Sequence, residues 1–329
     1  MKILVTGSSG HLGEAICRVL KKRAIDYIGI DIKEGAFTNK IGSITDNQIV
    51  LEIMDGIDFV IHSATLHKPH IVTHSKQDFI DVNISGTLSL LEAARVNEVK
   101  GFIYTSTTST FGDALKPKQN GPAIWVTEQT TAIPKNIYGV TKTAAENLCQ
   151  LYYRNHQLPC IVLKTSRFFL EEDDNKETRE MYHDLNIKAN EFLYRRVDIE
   201  DVVDAHLLAI EKVKEISFQK YIISATTPFA KEQLRNLQQD ANKLVAELYP
   251  EMQEIYARQN WKMFSQIGRV YVNEKARTEL AWNPKYDFKH VLECIKNEKE
   301  FRSSLALQVG AKGYHDQVFT DGPYPIDGN

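Results

Sequence analysis

The sequence predicts a doubly wound parallel α/β sheet of the Rossmann type, followed by a smaller, mostly helical C-terminal lobe. Three observations carry this expectation. A strand, a glycine-spaced turn, a helix and a second strand ending in an acid follow one another within the first thirty-one residues. Apolar runs and helical patterns then alternate as far as Leu163, the order of strands joined by crossover helices. Beyond Leu163 the alternation loosens and polar helical patterns take over.

Met1-Lys2-Ile3-Leu4-Val5 is the first strand. It runs into Thr6-Gly7-Ser8-Ser9-Gly10-His11-Leu12-Gly13 and then a helical pattern through Leu20, and Tyr27 to Ile30 is the second strand, ending at Asp31. Gly7, Gly10 and Gly13 allow a tight turn and close approach of backbone to a pyrophosphate. The helix start offers free N–H groups and partial positive charge to those phosphates. Asp31 lies eighteen residues beyond Gly13, the place for an acid that binds ribose hydroxyls. Its charge repels a 2′-phosphate, so NAD is favoured over NADP.

Further elements follow in order. Asp58 to His62 is a strand. Ile80 to Val96 is a helix with an apolar face marked by Leu88, Leu90 and Leu91. Gly101 to Thr105 is a strand, and Gly112 to Pro134, rich in Gly, Pro and Thr, reads as a loop. Asn136 to Asn155 is a helix and Cys160 to Leu163 a strand. Val197 to Val213 is helical in its second part, Tyr221 to Ser224 is a late strand, and Gln233 to Tyr256 is a long polar helix broken at Pro250. Arg302 to Asn329 has little periodicity and reads as an extended tail lying on the body. The expected division is a dinucleotide domain over 1–165, rejoined by 196–225, a substrate lobe over 166–195 and 226–300, and the tail over 301–329.

The 329 residues supply core for about two domains. Hydrophobic residues at 43% and charged residues at 25% are ordinary for a soluble globular chain. A formal net charge of −3 gives no sign of a nucleic-acid or anionic-membrane partner. No apolar run approaches a membrane span, and the first strand begins where a secretory leader would need its apolar region. Cys17, Cys149, Cys160 and Cys294 lack C-x-x-C spacing; reduced thiols in a cytoplasmic protein are expected, with neither disulfides nor a zinc site.

Two stretches carry chemistry. Phe102-Ile103-Tyr104-Thr105-Ser106-Thr107-Thr108-Ser109-Thr110-Phe111-Gly112 is a strand ending in a hydroxyl-rich turn, and strand carboxyl ends face the ligand crevice in such sheets. Tyr138-Gly139-Val140-Thr141-Lys142 places a phenol and an amine on one helix face, about 6 Å apart along the axis. A phenol ionises at about pH 10. A neighbouring ammonium and an oxidised nicotinamide are expected to bring it toward working pH. Tyr138 then takes the proton of a substrate alcohol, while Thr107 holds the reacting oxygen.

With the glycine turn, the hydroxyl strand end and Tyr-x-x-x-Lys in this order, the sequence resembles the extended short-chain dehydrogenase/reductases, in their NAD-dependent epimerase/dehydratase branch. The resemblance covers roughly residues 1 to 300 and is strongest to Leu163. It implies a Rossmann domain binding NAD, a substrate lobe, and the catalytic set Thr107, Tyr138 and Lys142. The implied cofactor side is Gly7, Ser9, Gly10, His11, Leu12, Gly13, Asp31, Ile32, Ser43, Ile44, Ser63, Ala64, Thr65 and Asn83, together with Tyr138 and Lys142. Asn83 matches the family's structural asparagine, Val60-Ile61-His62-Ser63-Ala64 its strand beside the cofactor, and Ala281-Trp282-Asn283-Pro284 its Gly-Trp-x-Pro segment. The family pairs its counterparts of the Ile80 and Asn136 helices across a dimer, and a homodimer is expected.

Departures sharpen the reading. The branch's dehydratases carry acids directly after the catalytic threonine, where Thr108 and Ser109 stand here. This hydroxyl-only run is most similar to the UDP-galactose 4-epimerases. Ser43 replaces the family's usual Asp, and Tyr194-Arg195-Arg196-Val197-Asp198-Ile199-Glu200-Asp201 lacks the arginine and histidine of its nucleotide-sugar segment. Arg167 falls where the 4-epimerases place a substrate-contacting asparagine; it either binds substrate or pairs with a local carboxylate. The run Glu171-Glu172-Asp173-Asp174 reads as a solvated loop; the alternative is that it faces the site, where it repels a diphosphate and favours a substrate without phosphate unless Arg195 and Arg196 offset it. His67 and Lys68 are placed on a loop above the nicotinamide, where either can touch substrate, and His67, Thr108 and Arg167 are the substrate candidates. His70 and His74 have metal-ligand spacing without completing partners, and no metal is expected. The reading is NAD-dependent epimerisation of a sugar or nucleotide sugar through a keto intermediate. Its alternatives are a simple dehydrogenase similar to the L-threonine dehydrogenases, or a non-catalytic NAD-binding protein.

Overall fold

Seven short apolar runs become the strands of one wholly parallel sheet in the order β3-β2-β1-β4-β5-β7-β8. The structure is a computed structural model, and it describes residues 1–313, 315, 319 and 322–324. In chain order the first half comprises β1 (Lys2–Thr6), α1 (His11–Lys22), β2 (Asp26–Asp31), β3 (Lys40–Ile41), α2 (Asn47–Met54), β4 (Phe59–His62), α3 (Lys76–Ile80), α4 (Gly86–Val96), β5 (Gly101–Thr107), β6 (Ile124–Val126), α5 (Ile137–His156) and β7 (Cys160–Thr165). The second half comprises α6 (Lys176–Met181), α7 (Asp184–Glu191), α8 (Ile199–Ile216), β8 (Phe218–Ile223), α9 (Leu234–Gln239), α10 (Ala241–Leu248), α11 (Met252–Arg258), β9 (Arg269–Tyr271), α12 (Glu274–Glu279), α13 (Phe288–Lys296) and α14 (Ser304–Val309).

Side chains alternate across each strand, and both faces of the sheet are covered. Leu4, Val60, Phe102, Tyr104 and Val162 pack with Leu90, Leu91, Ala145, Cys149 and Tyr152 of α4 and α5. Ile3, Val5, Ile61, Ile103 and Leu163 pack with Ile16 and Leu20 of α1 and Val202, Val203 and Ile210 of α8. A separate core, including Phe192, Phe229, Leu237, Leu244, Tyr256 and Phe288, holds the helical C-terminal region together. Trp282, 1% exposed, packs into the α1–α8 side of the sheet core and donates Nε1–H to the Asp201 carbonyl of α8 at 2.9 Å.

Where the order reverses, between β1 and β4, the crevice at the strands' carboxyl ends opens. Register places Thr6 beside Ile30 and His62, and Thr107 beside Thr165. The strands bearing the glycine turn and the hydroxyl run therefore end at one edge.

Several sequence expectations are corrected. The Ile80–Val96 helix begins earlier, at Lys76, and passes through a wide turn over Asp81–Ser85 before α4. That turn carries Asn83, whose Oδ1 accepts from Leu66 N–H at 2.8 Å and from Thr65 Oγ1 at 2.8 Å; such single-turn widenings accompany functional sites. The loop over 112–134 contains β6, which pairs in parallel with distant β9, a three-residue strand too short for periodicity to reveal. The long helix over 233–256 is three, since Asp240 caps α10 by accepting from Lys243 N–H. The 301–329 tail holds α14, capped by Ser303, whose Leu305, Ala306 and Val309 are buried against α1 and α8. Of the tail's Gly- and Pro-bearing motifs, Tyr314 and Pro325 lie outside the described residues.

Candidate active site

A cavity of about 390 Å³ lies at the carboxyl ends of the central strands, and both chemical stretches line it. Its floor is the glycine turn. Gly7 has φ +75°, and a Cβ there would meet the Ala64 nitrogen at 2.9 Å; a Cβ on Gly13 would meet the Gly7 carbonyl oxygen at 2.0 Å. Only glycine fits this packing of turn against helix. Gly7, Gly10, His11, Leu12, Gly13, Ser63 and Thr65 all line the cavity.

Asp31 ends β2 and accepts from Ser9 N–H at 3.0 Å and Lys33 N–H at 2.9 Å. Its carboxylate stands beside the glycine turn. Ser9, Asp31, Ile32, Ser43, Ile44 and Ala64 lie outside the cavity lining. Ile32 points to solvent, whereas Ile44 is buried over the apolar sheet face. Asn83, also outside the cavity lining and 1% exposed, donates to Leu66 O at 3.1 Å and Thr141 Oγ1 at 3.0 Å, as its match to the family's structural asparagine implies.

The three catalytic candidates come together. Asn136 caps α5 by accepting from Gly139 N–H at 3.0 Å, which seats Tyr138 in the first turn, facing the end of β5. Tyr138 and Thr107 line the same cavity, and the Thr107 hydroxyl favours the ionised phenol. Lys142, one turn on, donates from Nζ to the Thr105 carbonyl at 2.7 Å and lies over the Tyr104 ring at 4.3 Å. All three line the cavity, as do Thr108 and Ser109. His67, held neutral by burial, brings its ring to 6.0 Å from that of Tyr138.

The expected tuning of the phenol is reversed in the protein alone. Burial pushes Tyr138 up to about 12, against the lowering effect of the Thr107 hydroxyl. Burial likewise pushes Lys142 down to about 7, against the attraction of Glu146. Desolvation disfavours both charged forms, a consequence of cavity depth that linear spacing does not show.

The acidic run is also corrected. Glu171, Glu172 and Asp174 line the cavity, and Asp173 is buried. The Arg167 guanidinium pairs with Asp173, with Glu191 at 3.0 Å and with Asp174 at 3.4 Å. Arg195 meets Glu191 at 2.6 Å and Asp173 at 3.3 Å. Arg167 thus takes the carboxylate-pairing alternative, its charge compensated within the protein. Glu171 accepts from the His11 imidazole at 2.7 Å and from the Lys312 and Gly313 N–H groups at 2.9 and 3.1 Å. Tyr324 donates to Asp174 at 2.8 Å and lines the cavity. His70 packs edge to ring against His74 and His315, and no cluster of metal-ligating side chains occurs among the described residues.

Sequence reasoning missed Lys135, Arg269 and Tyr271, which line the cavity beside the expected His67 and Lys68. Asn136 was legible as an N-cap. Arg269 and Tyr271 reach the site only through the β6–β9 pairing, and no local signal marks them.

The sequence model for the NAD dependent epimerase/dehydratase family matches residues 3–224. The chain belongs to this family. Among its relatives, a dTDP-D-glucose 4,6-dehydratase of Dictyostelium discoideum is 31% identical over 192 residues, covering 51% of this chain and 44% of that protein. The uncharacterized UDP-glucose epimerase YtcB of Bacillus subtilis is 31% identical over 190 residues, 51% of this chain and 56% of YtcB. The chain therefore spans about half the length of these two relatives. A UDP-glucose 4-epimerase of Lactobacillus helveticus is 24% identical, across 96% of this chain and 100% of that protein.

Two solved structures share the fold. A short-chain dehydrogenase/reductase superfamily protein of Agrobacterium tumefaciens with bound NAD has a TM-score of 0.66 at 19% identity, covering 91% of this chain and 98% of that one. A UDP-glucuronic acid 4-epimerase of Bacillus cereus in complex with NAD has a TM-score of 0.60 at 22% identity, covering 93% and 100%. The cofactor of this epimerase/dehydratase-family protein is NAD. The residues present fit it: a side-chain-free cradle at Gly7 and Gly13, a helix N-terminus at His11, and a carboxylate at Asp31. No helix among the described residues is long and apolar enough to cross a membrane.

Proposed function

We propose that this protein epimerises a sugar or nucleotide sugar at a secondary alcohol, through a keto intermediate. The observation that carries the reading is that Thr107 and Tyr138 line one cavity together with Lys142, which stands one turn along α5. Thr107 holds the substrate oxygen, and Tyr138 takes its proton and returns it. Lys142 donates to the cofactor ribose and supplies positive charge near the phenol. Held by the glycine turn and Asp31, NAD would supply a reversible hydride acceptor for the reacting carbon, and the epimer would form when the hydride returns to the opposite face of the keto sugar. Thr108 and Ser109 hold no ionisable group in the place where elimination of water needs an acid and a base, which favours epimerisation over dehydration.

The test is the purified protein with a panel of UDP-hexoses and UDP-hexuronates. Interconversion of epimers with NAD retained and no net NADH is expected; NADH accumulating in step with substrate consumption contradicts it. A second reading, net dehydrogenation of a small amino alcohol, draws on Glu171, Glu172 and Asp174 at the cavity wall. Steady NADH formation from threonine would establish that instead.

The working unit in this reading is a homodimer in the cytoplasm. Leu88 and Val96 on α4 and Val140 and Leu151 on α5 are exposed apolar residues on the two helices the family pairs, and the four cysteines are free. Sedimentation equilibrium is expected to give twice the chain mass of 37.5 kDa; a monomer at micromolar concentration contradicts the dimer.

A further inference from the structure

Directly behind Lys142 lies a buried charged cluster whose ionised members, Glu146, Lys164 and Lys220, are outside the cavity lining. Glu146 is 2% exposed and one helical turn beyond Lys142. Its Oε1 accepts from Ser106 Oγ at 2.5 Å and from Lys164 Nζ at 2.6 Å, and its Oε2 accepts from Lys220 Nζ at 2.9 Å. Lys164 itself is 4% exposed. Three elements therefore meet on one carboxylate: β5 through Ser106, β7 through Lys164 and β8 through Lys220. Ser106 sits between Thr105, whose carbonyl anchors the Lys142 ammonium, and Thr107, which lines the cavity with Tyr138.

We propose that Glu146 is a positioning residue, which locks the end of β5 to α5 and supplies the counter-charge to Lys142. The proposal rests on the reading of Tyr138 and Lys142 as the acid/base pair. An ion cluster with no contact to ligand is more than a core needs, since apolar residues of equal volume fill such space at no cost in stability. Its location decides its use. Two of the three catalytic side chains are on α5 or anchored by β5, and Glu146 is hydrogen-bonded to Ser106, the residue between Thr105 and Thr107.

Charges around Lys142 set the direction of the effect. On α5 they are Glu146 and Cys149, on β7 Lys164, on β5 the Tyr104 ring and Thr105 carbonyl, on β4 His62, and above the cavity His67. Burial holds both histidines neutral. Burial also raises Glu146, yet Lys164 and Lys220 outweigh it and keep the carboxylate ionised. Of the charges on Lys142, Glu146 stabilises the ammonium and Lys164 opposes it. Removing Glu146 must lower the pH at which Lys142 loses its proton, and removing Lys164 must raise it.

The experiment reads Lys142 directly. NMR of protein carrying 13Cε-lysine follows its titration in the NAD-loaded protein, with Lys142→Arg assigning the signal. Glu146→Gln keeps the shape and is expected to lower the midpoint by about one pH unit. Lys164→Met is expected to raise it, and the double variant to fall between the two single variants. The alkaline limb of kcat/KM on the active UDP-sugar should move with the midpoint. Were Glu146 merely structural, Glu146→Gln would lower thermal stability and leave the midpoint in place, which overturns the proposal. Should Glu146→Gln fail to fold, an unmoved midpoint in Lys164→Met overturns it equally. The midpoint is independent of turnover: a Tyr138→Phe variant that stays fully active would sink the functional reading on which this one rests, whereas unmoved midpoints in a protein whose Tyr138→Phe variant is inactive would sink this one alone.

Discussion

Tyr138→Phe is expected to lower kcat about a thousand-fold, the scale of a lost general acid/base, which is about 4 kcal/mol of barrier. The bound NAD content should not change. Tyr138 is 6% exposed and packed by α5 and the loop bearing His67, so phenylalanine fills the same space and only the hydroxyl is lost. In the same cavity wall, Thr107 Oγ1 still accepts from Ser109 N–H at 3.1 Å, so the strand end keeps its turn. Loss of kcat with unchanged NAD content is the signature of a group that acts on substrate. NAD content is measured after acid release, and turnover by chromatographic separation of the epimers. Retained turnover in this variant would exclude Tyr138 as the acid/base.

Glu191→Gln is expected to be the most destabilising conservative change in the protein. Glu191 is fully buried at the end of α7, and its carboxylate meets three guanidinium groups: Arg167 at 3.0 Å, Arg195 at 2.6 Å and Arg196 at 2.7 Å. Removing one member of a buried ion cluster strands its partners and costs about 3–5 kcal/mol, against a total stability of about 5–15 kcal/mol. Although burial raises the Glu191 carboxyl, Arg195, Arg196 and Arg167 hold it far below the usual carboxylate range. The pH dependence follows in sign. A depressed folded value means that the contribution is complete above about pH 4.3, the value for an unfolded glutamate, and is lost as pH falls further. Wild type and Glu191→Gln should therefore differ widely in urea midpoint at pH 7 and converge below pH 4. Equal midpoints at pH 7 would show that the cluster contributes no stability. Arg167 and Arg196 also bridge the segment after β7 to the segment before α8. The same variant should loosen the cavity wall and raise KM.

What the sequence shows of this protein is what is local. The β1–α1–β2 start is legible because its glycines, apolar runs and terminal acid are adjacent, and the sheet crevice follows from it. Tyr138 and Lys142 are legible because a helix fixes their spacing. Features that depend on distant partners are not. The β6–β9 pair is three residues long on each side, and Arg269 and Tyr271 enter the site by that route alone. Glu171 to Asp174 resemble a solvated loop until Arg167, Arg195, His11 and Lys68 are folded against them. Helix α14 spans six residues and is held by its packing on α1 and α8. The rise of the Tyr138 phenol to about 12 has the same origin. Spacing shows an amine one turn away, but depth is set by elements distant in sequence, β5, β7 and the segment over 68–72, that pack on α5.

Single turnover on an epimerised sugar labelled with tritium at the reacting carbon tests the central claim most directly. An alcohol deprotonated by Tyr138, with its carbon hydrogen passed to bound NAD and returned, keeps the label in the sugar, and Tyr138→Phe forms no labelled epimer. Tritium released into water, or epimer formed at the wild-type rate without the phenol, would contradict it.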